Sequence, residues 1–382
     1  MPTICLDCRY LTARPSGIAT MIAALVEHLP HLAPDWRFVF LRHASVPHPL
    51  SCAPNVTEQA IAAPANGPGT MWRMSRLAEL GGVDLFHAPA NILPHGLLMP
   101  CVTTVHDLMW LIDPRLCATG WWALVERRFY GNGLRRALRR SDAIIAVSEA
   151  TRRDVMAFAP SVATRTHTAL LGVGRRAGEP DEADAAVLRK LGLVPRHYVL
   201  VVGQSAPYKN HDGAMRGFAR SFAGRRDMML VMVQRRGAAG RGGTELAERL
   251  GIGEQILFLP AVEQGQLQAL YRGALTLLHP SLHEGFGIPL AEAMAAGCPV
   301  ITSDRSAMSE VVGDAALLVD PCSADSISDA LLRISADPEL RETLIARGIR
   351  RASQLDWRAF AARHLEVYEA VLADVKRPRA AR

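Results

Sequence analysis

The sequence predicts an α/β protein built from two doubly wound parallel-sheet domains that face each other across a cleft, and three observations carry that expectation. Its 382 residues, 49% hydrophobic, exceed what one ordinary core organises, so two domains are expected. Short β-rich apolar runs alternate with amphipathic helical stretches along the chain, the pattern of parallel sheets covered by helices on both faces. A stretch rich in Gly, Pro and acidic residues, GVGRRAGEPDEADAA at 172–186, interrupts the alternation and reads as a linker.

Strands are expected first at PTICLD, RFVFLR, LFHAP, CVTTVHD and AIIAVS, and these place an N-terminal domain over residues 1–180. Beyond the linker, YVLVVG, MMLVMV, ILFLP, LTLLHP, PVITSD and ALLVD define a second domain over 181–355. The segment DWRAFAARHLEVYEAVLADV has helical spacing of Trp357, Phe360, Leu365, Tyr368 and Leu372. It is expected as a C-terminal helix, within 356–382, that packs back toward the N-terminal domain and precedes a basic tail. Ligands of such sheets bind at the carboxyl ends of the strands.

Charge narrows the partners. Residues 1–180 hold 18 Arg against 13 acids, whereas the rest holds 25 basic and 24 acidic residues. Much of the excess lies in ERRFYGNGLRRALRR, where Arg127, Arg128, Arg135, Arg136, Arg139 and Arg140 accompany one acid, Glu126. Two readings stand side by side, a solvated helical face and a surface that attracts anionic lipid or a phosphate-bearing acceptor. Nucleic acid is not expected as a partner, since no recognition module or aromatic stacking run accompanies the arginines. No apolar run approaches membrane-spanning length, and MPTICLDCRYL lacks the layout of a secretory signal. A cytoplasmic protein, peripheral at the inner face of the cytoplasmic membrane, is therefore expected. Cys5 and Cys8 form a C-x-x-C with no second pair to complete a zinc set, so neither a metal nor a cofactor is expected.

The segment LLHPSLHEGFGIPLAEAMAAGCPVI, 277–301, concentrates the chemistry. Gly285 and Gly287 permit a tight turn, Pro289 suits the start of a helix, and Gly297 suits its end. Helix amides are thereby exposed to an anion. The helix macrodipole accounts for Glu292, but it leaves Glu284, set in the glycine loop beside Phe286 and Ile288, needing polar partners such as sugar hydroxyls. VVGQSAPYKNHDG holds Lys209, one of only three lysines beside Lys190 and Lys376, and the other 40 basic residues are Arg. A compact ammonium suits a diphosphate as a point charge. QRRGAAGRGGTELAERL matches no phosphate-loop pattern, and the chain contains neither G-x-S-x-G nor D-x-D.

The run E-G-F-G-I-P-L-A-E resembles the signature of family 4 glycosyltransferases of the GT-B fold. The resemblance implies two Rossmann-like domains and transfer of a hexose from a nucleotide diphosphate sugar to a hydroxyl of a growing, lipid-linked glycan, with retention and without a metal. It implies that Glu284 contacts the donor sugar and Glu292 the ribose, with the amides of Phe286, Gly287 and Ile288 near sugar and phosphate. P-x-K-N after a strand and Gly203 is similar to the family's phosphate-binding lysine segment, so Lys209 is expected to face the diphosphate. Many relatives carry Arg where this chain has Gln204, which leaves half of the cationic clamp unassigned. DCRYLTARPSGIATMIAAL resembles the opening loop, with Gly17 at the donor phosphate. VTTVHDLMW places His106 where the family sets a histidine beside the sugar, and Asp107 next to it either orients that histidine or faces the acceptor. The opening loop and P-x-K-N resemble those of mannosyltransferases of bacterial polysaccharide assembly, lipopolysaccharide included, and that resemblance implies GDP-mannose as the donor. A nucleotide-sugar epimerase of the same architecture and a non-catalytic sugar-nucleotide-binding protein are the alternatives.

Overall fold

The computed structural model describes residues 1–12, 16–46, 49–118, 122–174, 181–234 and 240–376. It divides into two compact units: the first comprises Met1–Pro114, Thr119–Gly172 and Asp356–Arg382, the second Arg115–Ala118 and Val173–Leu355.

The first unit runs β1 (Thr3–Asp7), α1 (Gly17–Leu32), β2 (Arg37–His43), β3 (Val56–Ile61), α2 (Pro68–Leu77), β4 (Leu85–Ala88), β5 (Cys101–Val105), α3 (Met109–Ile112), α4 (Ala123–Arg140), β6 (Ala143–Ala146), α5 (Glu149–Phe158) and β7 (Thr166–Thr168). Its strands form one sheet in the order β3-β2-β1-β4-β5-β6-β7, every pair parallel. Central strands such as β4, β5 and β6 are buried throughout because helices cover both faces. That explains why they read as apolar runs. β3 (VTEQAI) and β7 (THT) were not expected: both are sheet edges, half-buried and polar, and carry little apolar signal.

The second unit runs α6 (Glu182–Lys190), β8 (Tyr198–Val202), α7 (His211–Phe222), β9 (Met229–Val233), α8 (Gly240–Arg249), β10 (Ile256–Leu259), α9 (Gln264–Gly273), β11 (Thr276–His279), α10 (Ile288–Ala295), β12 (Val300–Ser303), α11 (Met308–Val312), β13 (Ala316–Val319), α12 (Ala324–Ala336) and α13 (Pro338–Ala352). Its parallel sheet has the order β10-β9-β8-β11-β12-β13, so direction reverses between β8 and β11. Sheets of this kind bind ligands at the carboxyl ends of the strands where the order reverses.

The linker expected over 172–186 is shorter at its C-terminal end. Asp181 and Asp184 close a reciprocal capping box, which starts α6 inside the acidic run. Residues 175–180 of that linker, 235–239 of the arginine-glycine loop and the basic tail after Lys376 lie outside the described residues.

The chain ends in α14 (Trp357–Lys376), which belongs to the first unit and packs on α1. Its buried face comprises Phe360, Ala361, His364, Val367, Tyr368 and Val371, whereas Leu365 and Leu372 are only half-buried. The stripe read from apolar residues alone thus omitted its central histidine.

Candidate functional site

In the second unit, the two loops at the reversal of strand order bring Lys209 and Glu284 together across 75 residues of sequence: Lys209 Nζ lies 2.5 Å from Glu284 Oε1. Pro207–Lys209 form a single 3-10 turn after β8, and Asn210, in the left-handed region (φ 53°), swings the chain into α7. The Asn210 amide nitrogen fixes this corner by donating to the carbonyls of Pro280 and Pro321, while its oxygen caps α7 through Gly213 N–H. Gly203 lies beneath the lysine stem, where a Cβ would stand 3.3 Å from both Cδ and Cε of Lys209.

Glu284 is buried, yet its Oε1 receives three polar groups: the Lys209 ammonium, the Ser281 hydroxyl at 2.9 Å and His279 Nε2 at 3.1 Å. Among the described residues none binds Oε2. Burial alone would raise this carboxyl. The Lys209 charge and the His279 hydrogen bond outweigh it, so Glu284 titrates well below the ordinary carboxylate range. His279 and His211 are both lowered, chiefly by burial, His211 to about 4. Both rings are therefore neutral at pH 7, and Lys209 supplies the positive charge of this cluster. Gln204 adds none: its amide donates to Tyr208 Oη, and the Tyr208 ring lies 5.3 Å from Lys209 Nζ.

Gly287 caps α10 with φ 92°, a conformation that favours glycine, and Pro289 occupies its first turn. Among the described residues, the amides of Phe286, Gly287 and Ile288 donate to no backbone carbonyl. Amides left without partners at a helix start are the kind of groups that can receive an anion. The macrodipole account of Glu292 needs correction, because no acid lies in the first turn of α10. Glu292 sits a turn further on and accepts from Tyr271 Oη of α9 at 3.1 Å. Burial pushes it up to about 7, against the hydrogen bonds from Tyr271 and Gln264.

In the first unit, Gly17 opens α1 behind Ser16, whose hydroxyl caps the helix through Ala19 N–H. Residues 13–15 of the opening loop lie outside the described residues. His106 follows β5. Its backbone N–H donates to Asn91 Oδ1 at 2.7 Å and its Nε2 to the Pro89 carbonyl at 2.8 Å, while Thr151 Oγ1 binds its carbonyl. Burial lowers its pKa. Nε2–H is thus engaged, and Nδ1 of this tautomer is a lone-pair acceptor. Asp107 accepts from Met109 N–H at the start of α3, a bond distinct from orienting His106. On α4, Arg127, Arg128, Arg135, Arg139 and Arg140 are exposed, whereas Arg136 is half-buried and donates to the Pro94 carbonyl. Arg136 therefore belongs to the packing and not to the exposed basic face.

Sequence reasoning missed His279, Ser281, Tyr271 and Asn91. Only His279 left a signal, a polar residue closing the otherwise apolar strand LTLLHP.

Comparison with known proteins adds an independent line. The sequence profile described as Glycosyl transferases group 1 matches residues 188–351, and that described as Glycosyltransferase Family 4 matches 15–173. The chain is 30% identical over 287 residues to O-antigen chain mannosyltransferase B of Escherichia coli, an alignment that covers 75% of this chain and 74% of that one. It is also 30% identical over 310 residues to MMP alpha-(1->4)-mannosyltransferase of Mycolicibacterium hassiacum, covering 77% and 72%. The crystal structure of WaaG, a glycosyltransferase involved in lipopolysaccharide biosynthesis, aligns with a TM-score of 0.74 over 96% of this chain and 99% of that one. At 17% identity that likeness is one of fold.

Proposed function

Since the chain belongs to the family 4 glycosyltransferases, we propose that it transfers mannose from GDP-mannose to a hydroxyl of a growing, lipid-linked glycan with retention of anomeric configuration. The observation that carries this reading is the buried Lys209–Glu284 pair at the β8/β11 reversal, one cation beside a carboxylate with an open oxygen. The choice of mannose rests on the mannosyltransferase names of the two relatives.

In this reading the bond between the anomeric carbon and the diphosphate oxygen breaks, and a bond from that carbon to the acceptor oxygen forms on the same face. The acceptor's proton passes to the departing phosphate oxygen. In the second unit, Lys209 and the amides of Phe286, Gly287 and Ile288 stabilise the charge that grows on the diphosphate, and in the first unit the start of α1 at Gly17 offers amides suited to a phosphate. In the second unit, Glu284 Oε2 accepts hydroxyls of the donor sugar and Glu292 those of the ribose; in the first unit, His106 Nδ1 is an acceptor suited to a sugar hydroxyl. The absence of D-x-D from the sequence supports a route that needs no metal.

The exposed Arg127, Arg128, Arg135, Arg139 and Arg140, with Trp122, Leu124 and Val125 exposed at the start of α4, support attachment to an anionic membrane surface. No helix among the described residues is long and apolar enough to cross a membrane.

The test is incubation with a panel of labelled nucleotide sugars and a lipid-linked glycan extract in excess chelator. Mannosyl transfer from GDP-mannose with an α-linked product is expected. Isomerised donor without transfer, or binding without turnover, would replace the proposal by one of its alternatives, and transfer only after metal is restored would overturn the metal-free route.

A further inference from the structure

Four fully buried polar side chains in the first unit, His87, Thr104, His364 and Tyr368, form a single chain of hydrogen bonds that no step above uses. His364 Nδ1 lies 2.9 Å from the Phe360 carbonyl, which can only accept, so this nitrogen carries the proton. A neutral His364 then presents a bare Nε2, and Thr104 Oγ1 at 3.2 Å must donate to it. With its proton committed, the Thr104 oxygen accepts from His87 Nε2–H at 2.8 Å. His87 Nδ1 is consequently bare and accepts the Tyr368 hydroxyl proton at 2.6 Å. The direction is thus fixed from Tyr368 through His87, Thr104 and His364 to the Phe360 carbonyl. Both imidazoles must be neutral for it to hold, and burial together with the neighbouring histidines keeps them so.

Both ends of this chain lie on α14, and its middle members, His87 and Thr104, lie on the elements that hold His106. His87 is in β4, and Pro89 and Asn91 in the turn that follows receive both bonds from His106. Asn91 N–H in turn donates to the Thr104 carbonyl at 3.0 Å, two residues before His106. Apolar side chains could dock α14 without these groups, whereas a saturated polar chain fixes one register of the helix against β4 and β5.

We propose that His364 and Tyr368 of α14, acting through His87 and Thr104, are positioning residues for His106. This inference rests on His106 being a site residue, as in the reading above. A displacement of about 1 Å at a reacting group costs on the order of a hundredfold, so Thr104→Val and Tyr368→Phe should lower kcat about 10- to 100-fold, with KM for the donor selected by the panel within about twofold. Thr104→Ser keeps the hydroxyl and should stay within about threefold of wild type. In a His106→Ala background, Thr104→Val should add almost nothing.

The same full-length variants give a second measurement free of substrate, the imidazole nitrogen spectrum. His106 and His87 should appear as Nε2–H tautomers and His364 as Nδ1–H in the wild type. Thr104→Val should release His106 into exchange between tautomers, and Thr104→Ser should not. Wild-type kcat in Thr104→Val, an equal fold loss with and without His106, or an unchanged His106 spectrum in every variant would overturn the positioning role. Full turnover in His106→Ala would instead overturn the reading of His106 itself, and the proposal with it.

Discussion

Replacing Lys209 by Met removes the charge from the Lys209–Glu284 pair but keeps most of the buried stem, and so isolates what the pair does for the fold. Only about a tenth of each side chain is exposed. Glu284 would be left buried with two neutral partners, Ser281 and His279. Breaking a buried pair on one side costs about 3–5 kcal/mol, which for a unit of this size lowers Tm by ~6–20 °C. In the native protein Glu284 titrates below its ordinary value, so its stabilising contribution is present above about pH 4.3 and is lost as pH falls further. In Lys209→Met the sign reverses: burial dominates, the carboxyl rises above its ordinary value, and the penalty is largest near neutrality and shrinks as pH falls. Adding Glu284→Gln should recover most of the loss at pH 7.5. Calorimetry of the two variants and wild type between pH 5 and 8 checks this. A Lys209→Met protein as stable as wild type, or one whose deficit neither varies with pH nor yields to Glu284→Gln, would refute the reasoning.

Three further outcomes follow from the same geometry. Gly203→Ala sets a methyl 3.3 Å from the Lys209 stem at a backbone φ of 157° that side chains rarely adopt, so turnover should fall about tenfold and Tm should fall with it, measured by donor assay and melting; unchanged turnover would remove the packing argument. Glu292, raised to about 7, should make kcat/KM for the donor rise with pH through that value, and Tyr271→Phe, which removes a donor to the carboxylate, should shift the inflection upward; a profile flat from pH 6 to 8 counts against it. Reversing Arg127, Arg128, Arg139 and Arg140 to Glu should abolish sedimentation with anionic liposomes, binding that in the wild type weakens as salt rises, whereas salt-insensitive binding would return α4 to a solvated face.

What the sequence made legible was whatever a backbone or a composition constrains. Gly285 and Gly287 permit backbone conformations closed to other residues and Pro289 fixes its own φ, so the turn into α10 could be read directly, and Lys209 stood out in a chain that mostly uses Arg. Apolar β8 and β11 announced themselves because they are buried on both faces. The pairing of Lys209 with Glu284 did not, since it depends on β8 and β11 becoming neighbours at the point where strand order reverses. The burial of Glu292 was not legible for a related reason: its partner, Tyr271, lies on a different helix, and only tertiary packing reveals the burial that raises it. His364 vanished into an amphipathic stripe, because helical periodicity counts apolar residues and cannot distinguish a buried histidine with a full set of partners from an exposed one.

In the proposed function, Lys209 paired with Glu284 drives departure of the diphosphate from GDP-mannose without a metal. The most direct measurement of that step is labelled mannosyl transfer in excess chelator, comparing wild type with Lys209→Met/Glu284→Gln, the variant expected to keep its fold. Transfer by the wild type and a loss of about a hundredfold or more in the folded double variant is the predicted result. Undiminished transfer by that variant, or no transfer from GDP-mannose by the wild type, would contradict it.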